Sequence, residues 1–296
     1  MTDSLRTIRR AALVARPSLP AALDTMREAA SWLAAHGCTP LVEQAGADAA
    51  GMTEWEIVSR DTLGSSADVV IAFGGDGTLL DAARAVANST SDVPLIGVNL
   101  GRLGFLTDIG RADMHAALDA LLGGRTRIET RLMLSTMVRG ASHPSPASRL
   151  ALNDVVVTRG ALSRMIEVEV KVDGQFVCHV KADGLIIATA TGSTAYNLSA
   201  GGPIVHPSVD ALLLTPIAPH TLTNRPVVLP ANSHIALHPV IDAHSDLLVT
   251  VDGQPGIPLE AGDVVEVARS PRVLRLIQTS TRTHFDMLRE KLKWGG

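Results

Sequence analysis

Val69-Val70-Ile71-Ala72-Phe73-Gly74-Gly75-Asp76-Gly77-Thr78 is an unbroken apolar run that ends in a glycine-rich turn carrying one carboxylate. Leu79–Ala87 follows with the spacing of a helix. Apolar residues without polar interruption read as a strand buried on both faces, and a strand, turn and helix in that order imply a parallel sheet covered by helices. Glycines let the backbone approach a ligand closely and leave N–H groups free for phosphate oxygens. A Gly-Gly pair alone is a common turn. The strand before it and the helix after it make Gly74, Gly75 and Thr78 a candidate phosphate loop. Asp76, at the C-terminal end of the strand, is placed to hold a metal, to accept a proton, or to do both. A carboxylate is a weak base, but phosphoryl transfer tolerates one because its transition state is loose and the hydroxyl proton can leave late.

Working outward, strand and helix signals alternate through the first third. Ala11–Ala15, Thr39–Val42 and Pro94–Asn99 read as further strands. A helix opens at Pro20 and is closed by Gly37, and Asp113–Leu122 is a second, ended by Gly123-Gly124. In such sheets ligands bind at the carboxyl ends of the strands. Beyond about residue 125 the pattern changes to short β-branched runs. They are Leu152–Thr158, Met165–Val172, Phe176–Val180, Leu185–Ala190, His234–Leu237, Leu247–Val251, Val264–Ala268 and Val273–Ile277. Turn signals such as Asp173-Gly174, Asp183-Gly184, Asp252-Gly253 and Ala261-Gly262-Asp263 separate them. His143-Pro144-Ser145-Pro146 reads as an exposed loop. The expected organisation is an α/β domain over 1–125 with a parallel sheet and an all-β sandwich over 126–280. A C-terminal helix over 281–296 then returns to the first domain.

Composition narrows the function. The chain has 296 residues, 46% hydrophobic and 19% charged, as expected of a well-buried globular protein. Aromatics are 3% and the net charge is −4, which argues against nucleic-acid binding by base stacking or by a broad basic surface. Cys38 and Cys178 form no CxxC, and the histidines show no ligand spacing, so no metal ligands can be named. Apolar runs fall short of the ~18 residues of a membrane span. Arg6, Arg9 and Arg10 precede an apolar stretch too short for a signal sequence. A cytoplasmic protein without membrane or nucleic-acid partners is expected.

Four further stretches carry chemistry. Asn99–Leu106 puts glycines at a strand end, with Arg102 and Phe105 among them. Asn153-Asp154 opens an apolar strand; an amide beside a carboxylate suits ribose hydroxyls, although Asn-Asp alone is more often a turn. The run from Thr191 to Pro203 is dense in small residues and hydroxyls and holds Tyr196, the chain's single tyrosine. A flat ring or a phosphate can lie against such a backbone. In Val251-Asp252-Gly253-Gln254 the Asp-Gly pair reads as a hairpin turn, with Gln254 the residue suspected of touching ligand.

Together these residues resemble the ATP-NAD kinase family. Gly74–Thr78 matches its GGDGT signature and Asn153-Asp154 its NE/D pair. Asp183-Gly184 and Thr189–Pro203 match its glycine- and hydroxyl-rich block, with Ala190 where Pro is common. Asn99–Asp108 and Pro216–Pro226 match as well, and the likeness runs from Ala11 to Trp294. The resemblance implies transfer of a phosphoryl group from ATP, or from polyphosphate in some members, to the 2′-hydroxyl of the adenosine ribose of NAD. It implies a divalent cation, Mg²⁺ or Mn²⁺, and a homodimer or homotetramer. By position, Asp76 resembles the proton acceptor and Gly77 a ligand-facing N–H. Asn153 and Asp154 resemble the ribose pair. Thr194, Ala195 and Tyr196 resemble the wall around adenine, with Asn197, Leu198 and Ser199 in the same substrate-binding run. Arg164, Lys181, Asp183 and Gln254 fall at positions that line the NAD site. Asp154 and Lys181 stand where relatives often have Glu and Arg, differences of reach and of donor geometry. Neither a P-loop lysine nor a protein-kinase signature is present. A lipid kinase of the diacylglycerol or sphingosine type shares the GGDGT turn but would lack the Thr191–Tyr196 block. A non-catalytic dinucleotide sensor would not need Asp76.

Overall fold

The computed structural model describes residues 7–89, 92–101, 103–141, 143–160, 165–221, 223–241, 246–279 and 282–294. They form two units, Met1–Thr130 with Leu274–Gly296, and Arg131–Val273. In chain order the first unit contains β1 (Arg10–Ala15), α1 (Pro20–Ala35), β2 (Thr39–Glu43), α2 (Gln44–Ala50), β3 (Glu56–Val58), α3 (Leu63–Ser66), β4 (Val69–Phe73), α4 (Asp76–Asn88), β5 (Leu95–Asn99), β6 (Ile109–Gly110) and α5 (Met114–Leu122). The strands pair in parallel in the order β5-β4-β1-β2-β3, with β6 beside β5. Phe73, Leu13 and Ile71 are fully buried, and α1 brings Met26, Ala30 and Leu33 into the same core. Each such large apolar side chain removed from water contributes about 1.5–3 kcal/mol.

The second unit takes in most of β7 (Arg127–Gly140), then β8 (His143–Ala151), β9 (Asp154–Arg159), β10 (Ile166–Val172), β11 (Gln175–Ala182) and β12 (Gly184–Thr189). After α6 (Tyr196–Ser199) come β13 (Ala211–Ile217), β14 (Val227–Pro230), β15 (Ile235–Pro239), β16 (Leu247–Val251), β17 (Ile257–Leu259) and β18 (Val264–Gln278). One antiparallel sheet runs β14-β13-β12-β9-β16-β17; facing it are β10, β11, β15 and the first part of β18, with β7 and β8. Val155, Val157, Leu185 and Ile187 of the first layer meet Val168, Val170, Leu237 and Val267 of the second, which closes a sandwich core. Strand alternation explains the choice: β10 reads buried and half-buried in turn along Ile166–Val172. The last residues of β18 return to the first unit, where Leu276 lies parallel to Leu95 of β5.

The final helix, α7 (His284–Leu292), starts with a capping box in which Thr283 and Asp286 serve each other's backbone N–H. It sits in the first unit, with Lys291 Nζ 5.4 Å above the Phe105 ring and the His284 ring 6.5 Å from it. Among the described residues no helix is long and apolar enough to cross a membrane.

Two local expectations need correction. His143–Pro146 opens strand β8 and is not a loop, with His143 opposite Gly140. Among the described residues β8 pairs only with β7. On an edge strand alternate N–H groups point away from the partner, so prolines two apart are tolerated. The Asp183-Gly184 turn signal lies between β11 and β12, and because these strands belong to different sheets the pair makes the corner between them. Val264–Ala268 and Val273–Ile277 belong to one strand; Ser270 Oγ accepts the Arg272 N–H at 2.9 Å across Pro271 and carries β18 through the break.

Candidate active site

Helix α4 begins at Asp76 itself, with Gly75 as its N-cap. Gly74 has φ +155°, open essentially to glycine alone, and a Cβ there would lie 2.3 Å from Thr78 Oγ1. The chain therefore turns sharply enough to leave Asp76 in the first helical turn at the end of β4. Its carboxylate is held by the segment that follows β5. Oδ1 accepts from the Leu106 N–H (3.1 Å), the Thr107 N–H (3.1 Å) and the Thr107 hydroxyl (2.9 Å). Oδ2 accepts from the Phe105 N–H alone (2.8 Å). Asn99 Nδ2 in turn donates to Thr107 Oγ1 at 2.9 Å. Gly104 makes this clasp possible, since a Cβ there would come within 1.8 Å of Asp76 Oδ1. A carboxylate oxygen takes about two hydrogen bonds. Oδ1 is oversubscribed, and Oδ2 keeps room for one more donor.

In the second unit the Asn153-Asp154 pair stands where β9 begins. Asp252 clasps its backbone: Oδ2 accepts the Leu152 N–H (2.9 Å), and Oδ1 accepts the N–H groups of Asn153 (2.8 Å) and Asp154 (3.0 Å). The Asp252 N–H donates to the Asp154 carbonyl at 2.9 Å. Thr189, at the end of β12, donates from N–H and Oγ1 to the Asn153 and Leu152 carbonyls, and its Oγ1 also accepts the Gly192 N–H. With the backbone so fully committed, neither the Asn153 amide nor the Asp154 carboxylate makes a hydrogen bond among the described residues. Asp154 is only 6% exposed. Burial, and secondarily the negative Asp252, push its carboxyl up to about 7. A buried carboxylate without a donor is a standing free-energy cost and a signature of a ligand site.

The run after β12 is a short 3₁₀ turn, Thr191–Thr194, leading into α6. Ser193 Oγ donates to the Val205 carbonyl and accepts its N–H, both at 3.0 Å. Asn197, fully buried, donates to the carbonyls of Ser193 and Pro203 and accepts the Thr215 hydroxyl, so its side chain is spent inside the protein. These anchors leave Thr194, Ala195 and Leu198 half-buried and Tyr196 and Ser199 exposed. Gly192 packs on the Asn153 backbone, where a Cβ would lie 2.1 Å from the carbonyl oxygen. That brings the Thr191–Ser199 run against the Asn-Asp pair. Lys181 pairs with Glu167 (3.0 Å) and Asp183 with Arg159 (3.4 Å). Gln254 is half-buried on the same turn as Asp252, its N–H on the Val251 carbonyl. Arg164 and Arg102 lie outside the described residues. Among the described residues no group of three or more His, Cys, Asp or Glu converges as a metal ligand set.

Two supports of the site escape the sequence. Asp252 reads as a hairpin residue, and nothing in its neighbourhood tells that its carboxylate reaches a segment 100 residues earlier. Thr107 lies within a quoted motif, but its grip on Asp76 depends on a fold that sets β4 beside β5.

The chain thus joins a parallel α/β unit that carries an acidic glycine turn to a β-sandwich unit that carries a polar, hydroxyl-rich run. The sequence pattern of the ATP-NAD kinase N-terminal domain matches residues 11–126, and that of the ATP-NAD kinase C-terminal domain matches residues 152–279. The NAD kinase of Citrifermentans bemidjiense is 43% identical over 289 residues, 97% of this chain and 99% of its own. The NAD kinase of Aromatoleum aromaticum is 43% identical over 295 residues, 99% of this chain and 96% of its own. Yeast NADH kinase, solved with NADH, superposes with a TM-score of 0.90 at 24% identity, over 100% of this chain and 92% of its own, a likeness of fold. An Archaeoglobus fulgidus NAD kinase solved with ATP gives a TM-score of 0.73 at 25% identity, over 97% and 100%. The chain belongs to the ATP-NAD kinase family.

Proposed function

We propose that this chain transfers the terminal phosphoryl group of ATP to the 2′-hydroxyl of the adenosine ribose of NAD, giving NADP and ADP. The observation that carries the reading is the match to both ATP-NAD kinase domains in a chain that keeps Asp76 at the end of β4. The same matches favour it over a lipid kinase. Asp76 is the proton acceptor: Oδ2, with a single donor, has the free lone pair for the ribose hydroxyl. The clasp of Phe105–Thr107 holds the carboxylate in one orientation, so little reorganisation is needed when the proton arrives. The ribose oxygen forms its bond to the γ-phosphorus, the bond from that phosphorus to the β,γ-bridging oxygen breaks, and the proton ends on Asp76. In the Gly74–Thr78 turn the N–H groups of Gly75 and Gly77 are the donors offered to phosphate, while those of Gly74 and Thr78 are spent on the Val98 and Gly75 carbonyls at 3.0 Å each.

Asn153 and Asp154 hold ribose hydroxyls, a role supported by side chains that make no hydrogen bond among the described residues. Thr194, Ala195, Tyr196, Leu198 and Ser199 offer the surface for the adenine end, with Asn197 as its internal anchor. Lys181, Asp183, Gln254 and Arg164 are assigned to NAD by their positions in the family pattern. A divalent ion, Mg²⁺ or Mn²⁺, would be held chiefly by the ATP phosphates, whose charge it would neutralise; among the described residues no group of three or more His, Cys, Asp or Glu converges to hold it. Polyphosphate is a second donor to test. Edge strand β11 exposes Phe176 and Val177, which supports self-association into a homodimer or homotetramer. Two unpaired cysteines support a reducing, cytoplasmic setting.

The test is direct. Protein, ATP, Mg²⁺ and NAD are incubated and NADP is read with an NADP-specific dehydrogenase, alongside diacylglycerol and sphingosine. NADP formation supports the reading; lipid phosphorylation without NADP sinks it.

A further inference from the structure

We infer that Asp252 is a positioning residue of the ribose site: it fixes the backbone from which Asn153 and Asp154 project, and its negative charge, added to burial, raises the pH below which NAD binding weakens. The inference rests on the assignment of Asn153-Asp154 to NAD and deepens it. Asp252 itself contacts no substrate in this account.

The geometry is specific. Three consecutive N–H groups, those of Leu152, Asn153 and Asp154, converge on the two oxygens of one carboxylate. Asp252 adopts φ +46° beside Gly253 at +68°, a left-handed pair that Asp tolerates better than most side chains. That conformation brings its carboxylate back over the start of β9. Three charge-assisted hydrogen bonds to backbone N–H groups are stronger than neutral ones and restrain the peptide planes that set where the next side chains go. A DG turn needs none of this to close a hairpin.

The same placement has an electrostatic consequence. Facing Asp154, β12 presents Ala188, its register partner, and Thr189, while β16 and its turn present Val251 and Asp252. Asp252 is the charged group that acts on Asp154, and it acts in the same direction as burial. The ionised Asp154 that best accepts ribose O–H groups is therefore lost at a higher pH than for an ordinary Asp. Binding of NAD to the ionised form must then release protons near neutrality.

The test is the pH profile of KM for NAD, with KM for ATP and kcat measured in parallel, for the wild type and Asp252→Asn. Asn keeps the left-handed turn and one acceptor oxygen but removes the charge. In the wild type KM for NAD should rise about tenfold per pH unit below a limb near neutrality, while KM for ATP stays flat. In Asp252→Asn the limb should move to lower pH. A limb left in place in a folded Asp252→Asn protein overturns the inference and reduces Asp252 to a structural turn. NADP formation with a pH-independent KM for NAD also overturns it and leaves the kinase reading standing. No NADP at any pH overturns both. If Asp252→Asn does not fold, the same pH profile is measured for Asp252→Gly, which keeps the left-handed turn and removes the charge; a limb moved to lower pH supports the inference, and a limb left in place overturns it.

Discussion

Replacing Asp154 by Asn should make the ligand-free protein more stable above neutral pH. The folded-state carboxyl is raised from 3.8 to about 7, chiefly by burial, so the folded form binds the proton more tightly than the unfolded chain does. Stability therefore falls as pH rises through the interval between these values. The penalty is absent below about pH 4 and complete above about pH 7. A shift of about three units at about 1.4 kcal/mol each sets an upper bound of ~4 kcal/mol. About 2.5 kcal/mol of that develops between pH 5 and pH 8, and because the shift is shared with Asp252, ~2 kcal/mol is the working figure. Asn has nearly the same volume and no charge, so it escapes the penalty at every pH.

The assay is thermal unfolding of the wild type and Asp154→Asn at pH 5 and pH 8 without nucleotide. For a unit of this size ~2 kcal/mol corresponds to about 4–8 °C in Tm. The variant should melt higher than the wild type at both pH values, and its lead should be greater at pH 8 than at pH 5 by about that amount. Equal Tm values at pH 8, or a gap that widens at pH 5, would refute the reasoning. The same variant should lose affinity for NAD, so the carboxylate is kept at the expense of the fold and for the sake of the ligand.

Gly104→Ala places a Cβ 1.8 Å from Asp76 Oδ1 and 2.4 Å from Thr107 Oγ1; kcat should fall about 100-fold, the effect of misplacing a reacting group by ~1 Å, with a smaller change in KM for NAD. Gly192→Ala meets the Asn153 backbone, which cannot swing away as a side chain can, so it should lower stability by about 1–3 kcal/mol and raise KM for NAD, read by urea unfolding and initial rates. Tyr196→Ala should leave Tm nearly unchanged, since the ring is 46% exposed, while KM for NAD rises about tenfold for a lost stacking contact and Tyr196→Phe restores it.

The parallel part of the fold is legible because each central strand is an apolar run closed by a glycine turn, and Val69–Phe73 coincides with β4 residue for residue. The type of the sandwich strands is legible from β-branched alternation, but β7 is not, since its fourteen residues, Arg127–Gly140, mix charged and apolar positions without a period. Hairpin chemistry is local and readable where it makes a hairpin: Asp173-Gly174 takes left-handed φ values of 51° and 78° between β10 and β11. At Asp183-Gly184 the same dipeptide turns a corner between sheets, a difference set by packing of Gly184 against Ile217 and Val157 and invisible in two residues. The site residues that face ligand announce themselves by type. Those that hold them in place, Asp252 and Thr107, act across about 100 and 31 residues of sequence, and no spacing rule reports contacts of that range.

Steady-state turnover of Asp76→Asn, with NAD binding measured on the same preparation, bears most directly on the role of this carboxylate. The wild type should form NADP, and the variant should lose about 100- to 10,000-fold in kcat, with NAD still bound and Tm within a few degrees. A variant that makes NADP at near wild-type rate would contradict the role given to this carboxylate.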